Sequence, residues 1–256
     1  GGPASGIIKV NASNGQWINV SPNFDQAAGL RKVGNQLLKF SPWNPKELVA
    51  GFNFLMATTD GGMHWKKLSP DLGNPTQKPA TPGGPTPTVA VTGAPPAGSI
   101  DSFSISTVSN GLIWAGTNNG LIWVTKNHGV SWTEVTIPNL PNPTRMDVST
   151  IEASHFDPAT AYVAVEAHGA GDYAPYLFRT RDYGKTWTKI VTGLAVDQPS
   201  GSFARVIRED PKKKGLLFAG TESSMYVSFN DGDDWQSLQL NLPNTSYRDL
   251  EVHGND

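Results

Sequence analysis

The side chains best suited to acid–base chemistry are concentrated in one short stretch, residues 166–173. Glu166 and Asp172 supply carboxylates there, while His168 supplies an imidazole and Tyr173 an aromatic ring. Polar and aromatic groups of these types converge in sites that bind small molecules. The same stretch is rich in Gly and Ala, so we interpret it either as part of a carbohydrate or peptide site or as a solvated loop.

Hydrolysis of a glycosidic bond would need two carboxylates, about 5–5.5 Å apart in a retaining enzyme or about 6.5–9.5 Å apart in an inverting one. The acids that could form such a pair are Glu166, Asp172, Glu222 and Asp101. No spacing along the chain selects two of them. The sequence therefore supplies candidates for this chemistry without identifying an active site.

Further polar residues mark the ends of predicted strands. Three of them, each two residues after an Ala-Gly pair, are Asn53, Asn118 and Glu222. Three others, which precede predicted first strands, are Asp101, Arg145 and Asp147. One interpretation is that these residues surround a ligand-binding mouth. The alternative interpretation is that they only hydrogen-bond the neighbouring backbone.

Composition argues against several other classes of function. The 256 residues contain no Cys, which rules out disulfides and thiolate metal sites. The five His show no spacing typical of a metal site, and the acidic run 230–234 is in register with the turns described below, so we expect neither a metal nor a cofactor. A formal net charge of -2 gives no basic footprint for nucleic acid. Since no run of about 18 apolar residues is present, we expect no membrane insertion.

An eight-residue pattern, Ser/Thr-x-Asp/Asn-x-Gly-x-x-Trp, occurs four times and is called the hairpin box below. The boxes span residues 58–65, 125–132, 180–187 and 228–235. Their Trp residues, at 65, 132, 187 and 235, lie 67, 55 and 48 residues apart. A propeller blade of four strands takes roughly 40 to 50 residues, so the spacing predicts one blade for each box.

Each hairpin box contains the residue types that a tight turn between two strands needs. An Asp or Asn side chain accepts hydrogen bonds from backbone amides a residue or two ahead, Gly adopts a positive φ, and a buried Trp anchors the turn to its blade. Since Asn replaces Asp in two boxes, we interpret these acids as structural rather than catalytic. The predicted structural residues are Asp60, Gly62, Trp65, Asn127, Gly129, Trp132, Asp182, Gly184, Trp187, Asn230, Gly232 and Trp235.

Between the boxes, short runs of β-branched, aromatic and Leu residues alternate with Gly, Pro and Asx turns, which predicts an all-β chain with little helix. The third repeat is expected to have strands at about 148–155, 161–167, 175–181 and 186–191. The fourth is expected to have them at about 202–208, 215–220, 224–229 and 234–240. The four whole blades are expected at about 33–72, 99–138, 148–192 and 202–241.

The two ends of the chain resemble parts of a fifth blade, split between residues 6–22 and 247–256, with no second strand in the sequence. Either the ends meet to close a small ring, or the chain is a segment of a larger propeller. The second arrangement is favoured. Residues 73–98 contain seven Pro and little to bury, which predicts a long extended or disordered loop between the first two blades.

The four boxes resemble the Asp-box, also called the bacterial neuraminidase repeat. The phrases at 68–72, 175–187 and 206–222 more narrowly resemble large exported bacterial propellers related to the sortilin and xyloglucanase propellers. This resemblance implies a β-propeller of four-stranded antiparallel blades whose boxes lie on the bottom rim, away from the central ligand site. The arginine triad of sialidases has no counterpart that we can place, and the chain is too short for the two propellers of a xyloglucanase.

Two functions remain open at this point. The favoured one is a non-catalytic binding or scaffolding propeller of an exported or cell-surface bacterial protein, which contacts a protein or glycan and belongs to a larger chain or assembly. The other is a glycoside hydrolase, xyloglucanase-like or sialidase-like, of which this chain is a propeller segment. Fold alone does not choose between them, because propellers host both.

Overall fold

The computed structural model describes residues 6–22, 29–31, 37–74, 97–141, 146–196 and 202–252. The regular structure of these residues is β-strand, apart from a single turn of 3₁₀ helix at His168–Ala170. The first two strands, β1 (Ile8–Val10) and β2 (Trp17–Asn19), form an antiparallel hairpin. Most of the predicted Pro-rich loop, residues 75–96, lies outside the described residues.

Four antiparallel sheets follow this hairpin, and each has four strands in the order of the chain. Blade one consists of β3 (Leu37–Phe40), β4 (Leu48–Gly51), β5 (Leu55–Thr58) and β6 (Lys66–Lys67). Blade two consists of β7 (Ile100–Ile105), β8 (Ile113–Thr117), β9 (Ile122–Thr125) and β10 (Thr133–Glu134). Blade three consists of β11 (Asp147–Ala153), β12 (Ala161–Ala167), β13 (Asp172–Thr180) and β14 (Thr188–Lys189). Blade four consists of β15 (Ala204–Glu209), β16 (Leu217–Thr221), β17 (Met225–Ser228) and β18 (Gln236–Ser237). The predicted all-β propeller of four-stranded antiparallel blades is confirmed.

The outermost strands are shorter than the sequence predicts. Strand β14 has two residues where six were expected, and β18 has two where seven were expected. In both blades the strand begins only after the box Trp, because the residues up to Trp187 and Trp235 belong to the turn. The hairpin box therefore extends further into the sheet than a simple two-strand turn.

The core is divided into apolar layers, each between two successive sheets. Residues of blades one and two form one cluster, those of blades two and three a second, and those of blades three and four a third. A fourth cluster joins the β1–β2 hairpin to blade one, through residues that include Ile7, Val20 and Met56. The second and third strands are the most deeply buried, and every residue of β5, β8, β9, β12 and β17 is buried. Each blade is thus apolar on both faces and depends on its neighbours for burial.

Each hairpin box is organised by two side chains that accept backbone amides four residues ahead. In the third box, the buried Thr180 hydroxyl accepts the Gly184 amide at 2.9 Å and donates to Asp182 Oδ1 at 2.8 Å. Asp182 Oδ1 in turn accepts the Thr186 amide at 2.9 Å. The other three boxes repeat both amide bonds, with Asn in place of Asp in two of them. The acceptor role is as the sequence suggests, but its reach is four residues rather than one or two.

The box Gly is required by both conformation and space. Gly129 has φ +86°, and His128 before it is also left-handed at φ 55°. A Cβ on Gly129 would lie 2.0 Å from the carbonyl oxygen of Leu68, which belongs to the preceding blade. A side chain at this position would therefore be strained and would also push two blades apart.

The box Trp anchors its hairpin to the preceding sheet. The prediction that it anchors the turn to its own blade is therefore wrong. The indole Nε1 of Trp132 donates to the carbonyl of Leu68 at 2.9 Å, and that of Trp187 donates to Val135 at 2.8 Å. The other two pairs, at 2.8 and 2.9 Å, are Trp65 with Val20 and Trp235 with Ile190. Each accepting residue directly follows the last strand of the sheet before it, so the indoles join successive sheets together.

The last described residues run beside blade four without forming a strand. The Tyr247 amide donates to the Thr221 carbonyl at 3.0 Å. In blade two, the Ile100 amide at the start of the first strand makes a comparable bond to the Phe52 carbonyl of blade one at 2.6 Å. The segment after residue 246 thus occupies the place of a first strand next to blade four, and its final residues, 253–256, lie outside the described part of the chain.

Candidate functional site

The first strands of the four blades surround a central channel. A cavity of about 510 Å³ is lined from all four of them, through residues that include Leu38, Asp101, Ser149 and Arg205. A second cavity of about 550 Å³ lies next to it along the same strands, and Lys39 and Arg208 border both. Channel-facing side chains therefore come from elements far apart in the sequence but equivalent in each blade.

One end of this channel, where first strands begin and second strands end, is called the upper mouth here. Asp147 opens β11 and is paired in register with Glu166 near the end of β12. Asp101 is the second residue of β7, and Glu222 directly follows β16. The antiparallel pairing brings these chain positions to one end of the blades, which is why four acids gather there.

Arg205, which the sequence analysis did not single out, connects two of the predicted residues. Its guanidinium donates to Glu166 Oε2 at 2.8 Å and to Glu222 Oε2 at 2.7 Å. Glu222 Oε2 also accepts the Ser246 hydroxyl at 2.6 Å. Since Arg205 comes from a first strand and the two acids end second strands of different blades, the guanidinium ties blades three and four together at the upper mouth.

Burial and mutual repulsion raise the pKa of several acids at the upper mouth. Burial, reinforced by the negative charges of Asp147 and Glu166, raises the pKa of Asp101 to about 7. Burial also raises the pKa of Asp147, although nearby His168 opposes the shift. The pKa of Glu166 is raised by burial despite the opposing charges of Arg205 and His168. Close to neutral pH, this end of the channel holds a proton that isolated carboxyl groups would have lost.

Glu222 behaves in the opposite way. Burial alone would raise the pKa of this carboxyl, but the hydrogen bonds from Ser246 and Arg205 outweigh that effect and lower it. Glu222 is therefore kept ionised, and its carboxylate forms an ion pair with Arg205.

Three rings lie beside these charges. His168 stacks on Phe203 with ring centroids 4.8 Å apart and planes 16° from parallel, and its Nδ1 lies 3.3 Å from Glu166 Oε2. Tyr173 is tilted towards Phe203 at 6.1 Å and is 40% exposed. The Arg205 guanidinium carbon lies 4.6 Å from the Phe203 ring centroid. Phe203 itself is buried, so the rings of this group that remain open to solvent are Tyr173 and His168, whose side chain is also 40% exposed.

Three of the predicted site residues, Asp172, Asn118 and Asn53, form hydrogen bonds within the protein. Asp172 accepts the Tyr176 hydroxyl at 2.7 Å and the Ala174 amide at 3.0 Å, and it raises the Tyr176 pKa, after burial, to about 12. Asn118 Oδ1 accepts the Ser99 amide at 2.9 Å.

Asn53 is completely buried, and its side chain bonds to Gly29, Arg31 and Asp71. It is therefore closed to a ligand in this structure. Of the residues predicted to precede first strands, Arg145 lies outside the described residues.

Neither a metal centre nor a membrane span emerges from the described part of the chain. No group of three or more His, Asp or Glu residues there is arranged to hold a metal ion. No helix within the described ranges is long and apolar enough to cross a bilayer.

No protein-family model and no curated protein matches the sequence. Among solved structures, the chain is similar to a GH74 xyloglucanase from Xanthomonas campestris, with a TM-score of 0.55 and 18% identity over 78% of this chain and 29% of that one. An ancestral GH74 enzyme gives a TM-score of 0.55 at 16% identity over 82% of this chain and 26% of its own. The Dos1 propeller gives 0.51 at 12% identity over 96% of this chain and 53% of its own. The chain thus spans between a quarter and a third of the two GH74 proteins, and at these identities the likeness concerns the propeller fold alone.

Proposed function

We propose that this chain is a non-catalytic binding propeller whose upper mouth holds a segment of a protein or a glycan. The observation that carries the proposal is the Arg205 guanidinium, which is bonded to both Glu166 and Glu222. A carboxylate that is fixed against a guanidinium is poorly suited to transfer a proton or attack a sugar. Asp172 is likewise bonded to Tyr176, so three of the four acids available for glycosidase chemistry have internal partners.

The same geometry is well suited to recognition. The exposed ring of Tyr173 lies beside a channel entrance lined by Asp101 and Arg205, and aromatic and hydrogen-bonding groups side by side are typical of sites that bind sugars and peptides. The resemblance of the four boxes to exported bacterial Asp-box propellers supports a location outside the cytoplasm. It also supports a ligand that the protein meets there.

The test is to screen the protein against an oligosaccharide array and a peptide-display library. Tyr173→Ala should weaken the affinity for the best binder by about tenfold, because an aromatic contact is worth about 0.5–1.5 kcal/mol beyond the area it buries. Phe229→Ala is the matched control, since this aromatic residue is 59% exposed and belongs to the fourth hairpin box. Equal binding by both variants, or no binder in either library, would overturn the proposal.

A second candidate function is glycoside hydrolysis, and one observation favours it. The pKa of Asp101, about 7, is in the range of a general acid that works near neutral pH, and Asp147 is close enough to contribute to the shift. Hydrolysis of xyloglucan or sialyllactose that is lost in Asp101→Asn but kept in Tyr173→Ala would establish this activity. Absence of turnover on a broad glycan panel would leave the binding function as the better account.

A further inference from the structure

The boundary between successive sheets is built in the same way four times. The residue whose carbonyl accepts the next indole is buried under the following hairpin box in every case, at 2–9% exposure. These residues are Val20, Leu68, Val135 and Ile190. In blades one to three, a Leu four or five residues later is also buried, at 0–8% exposure, namely Leu72, Leu140 and Leu194. Each sheet thus has a trailing edge that the next sheet covers.

Blade four has the same trailing edge, but no sheet among the described residues covers it. Leu238 follows β18 and donates its amide to the Met225 carbonyl, as Leu68 does to Leu55 in blade one. Leu238 is partly exposed, and Leu242, at the position of the buried linker Leu residues, is 40% exposed. Leu240 between them is 88% exposed. We call these three Leu residues the trailing surface.

The β1–β2 hairpin has the surface that would be complementary to this trailing edge. Its Ile7 and Val20 pack on blade one, so the residues on its opposite face point away from the blades. Those residues are Ile8, Val10 and Trp17, of which Val10 and Trp17 are paired in register. They are 54%, 60% and 66% exposed, whereas Trp132 and Trp235 are 5% and 4% exposed. We call these three residues the leading surface.

We propose that the leading surface of one copy of this chain docks on the trailing surface of a second copy. The boundaries between successive blades show how such surfaces are covered. At each one, an indole donates to the carbonyl that follows the fourth strand, and apolar side chains pack around it. Large apolar side chains are exposed on both surfaces, and such exposure favours association. Because the two surfaces differ, the contact is head-to-tail and forms a closed ring or an open row, depending on the rotation between copies.

Sedimentation velocity and light scattering over a wide concentration range test the proposal. The wild type should increase in mass with concentration, and Trp17→Ala or Leu238→Asp should each weaken self-association by about thirtyfold, as expected for the loss of a central anchor. Since both residues are at least partly exposed, the variants should fold, which circular dichroism checks. Val130→Asp, at a residue 85% exposed on the second hairpin box, is the control and should associate like the wild type.

A mixture of the two variants gives the sharpest result. Trp17→Ala keeps an intact trailing surface and Leu238→Asp an intact leading surface, so together they should form a dimer and nothing larger. A wild type that stays monomeric into the millimolar range would overturn the proposal, because the two surfaces would then be covered by other polypeptides or, within one chain, by each other. Association that both variants retain, or a mixture that forms no dimer, would also overturn it.

Discussion

Carboxylates at the two ends of the blades lie in opposite electrostatic environments. In the hairpin boxes, amide and side-chain hydrogen bonds from His64 lower the pKa of Asp60, and those from Thr186 lower the pKa of Asp182. At the upper mouth, burial raises the pKa of Asp101 and Asp147. A box acid is stabilised as an acceptor, a role that Asn performs equally well. Asp101 and Asp147 are instead shifted towards their neutral forms, whereas Glu222 at the same mouth is kept ionised by Ser246 and Arg205.

The largest effect should come from removing the anchor of a hairpin box. Trp132 is buried and bonded to Leu68, so Trp132→Ala should lower the free energy of unfolding by about 3–5 kcal/mol. Urea denaturation measures this change. Trp17→Ala at low protein concentration is the matched control and should unfold almost like the wild type, because Trp17 is 66% exposed. Similar losses in both variants would break the distinction between a covered and an uncovered Trp.

The next largest effect should come from Gly129→Ala. The new methyl group would meet the Leu68 carbonyl while the backbone is left-handed, so we expect a loss of about 2–4 kcal/mol in the free energy of unfolding. Gly171→Ala, in the loop beside the upper mouth, is the control. Its φ is +79°, but no atom lies within 4 Å of the added Cβ, so only the backbone strain of about 1–2 kcal/mol remains. Equal losses at the two sites would show that contact between blades contributes nothing.

A smaller, pH-dependent effect should distinguish the upper mouth. The pKa of Asp101 is raised from 3.8 to about 7 in the folded state, so this group stabilises the fold below its unfolded value and loses that contribution as the pH rises through 7. Asp101→Asn does not ionise. It should melt near the wild-type temperature at low pH and roughly 3 °C above it at alkaline pH, a shift equivalent to about 1 kcal/mol. Thermal melts across this pH range would contradict the burial argument if the variant never exceeded the wild type.

The smallest effect should come from Asp182→Asn. The amide oxygen keeps the bonds from Thr180 and from the Thr186 backbone, so the melting temperature at neutral pH should change by no more than about 2 °C. Since the pKa of Asp182 is lowered, any stabilisation by its charge is present above the unfolded value and disappears as the pH falls. The variant should therefore be slightly less stable than the wild type at neutral pH and approach it in acid, whereas Asp101→Asn approaches the wild type in acid from the more stable side. A large loss at neutral pH would mean that the charge itself holds the turn.

The sequence predicts the blades well because their determinants are local. The spacing of the four Trp residues and the alternation of apolar runs with turns depend on neighbours within one repeat, and the sheets follow that order. The hydrogen bonds of the box side chains are harder to predict from the sequence. Thr180 and Asp182 accept amides four residues ahead, which come close to them only in the folded turn.

The upper mouth is harder to predict because its contacts join different blades. Arg205 meets Glu166 across 39 residues, and no local pattern marks it, because the same strand also contains Arg208 and Glu209. Asn53 occupies a position equivalent to Glu222, yet it is buried and bonded to a loop, whereas Glu222 faces Arg205. Position in a repeat therefore indicates which end of a blade a residue occupies but not which partner it finds.

The indole bonds also have a consequence for how such chains are lengthened and shortened. Because every box Trp binds the sheet before it, a blade removed from the middle takes away both an indole and an acceptor, and the new neighbours must supply a matching pair. The unit that can be duplicated or exchanged without loss runs from one accepting residue to the next, for example from Leu68 to Val135, rather than from one sheet boundary to another. Recombination in propellers of this design should accordingly leave its junctions just beyond the fourth strand, in the short linker that carries the accepting carbonyl.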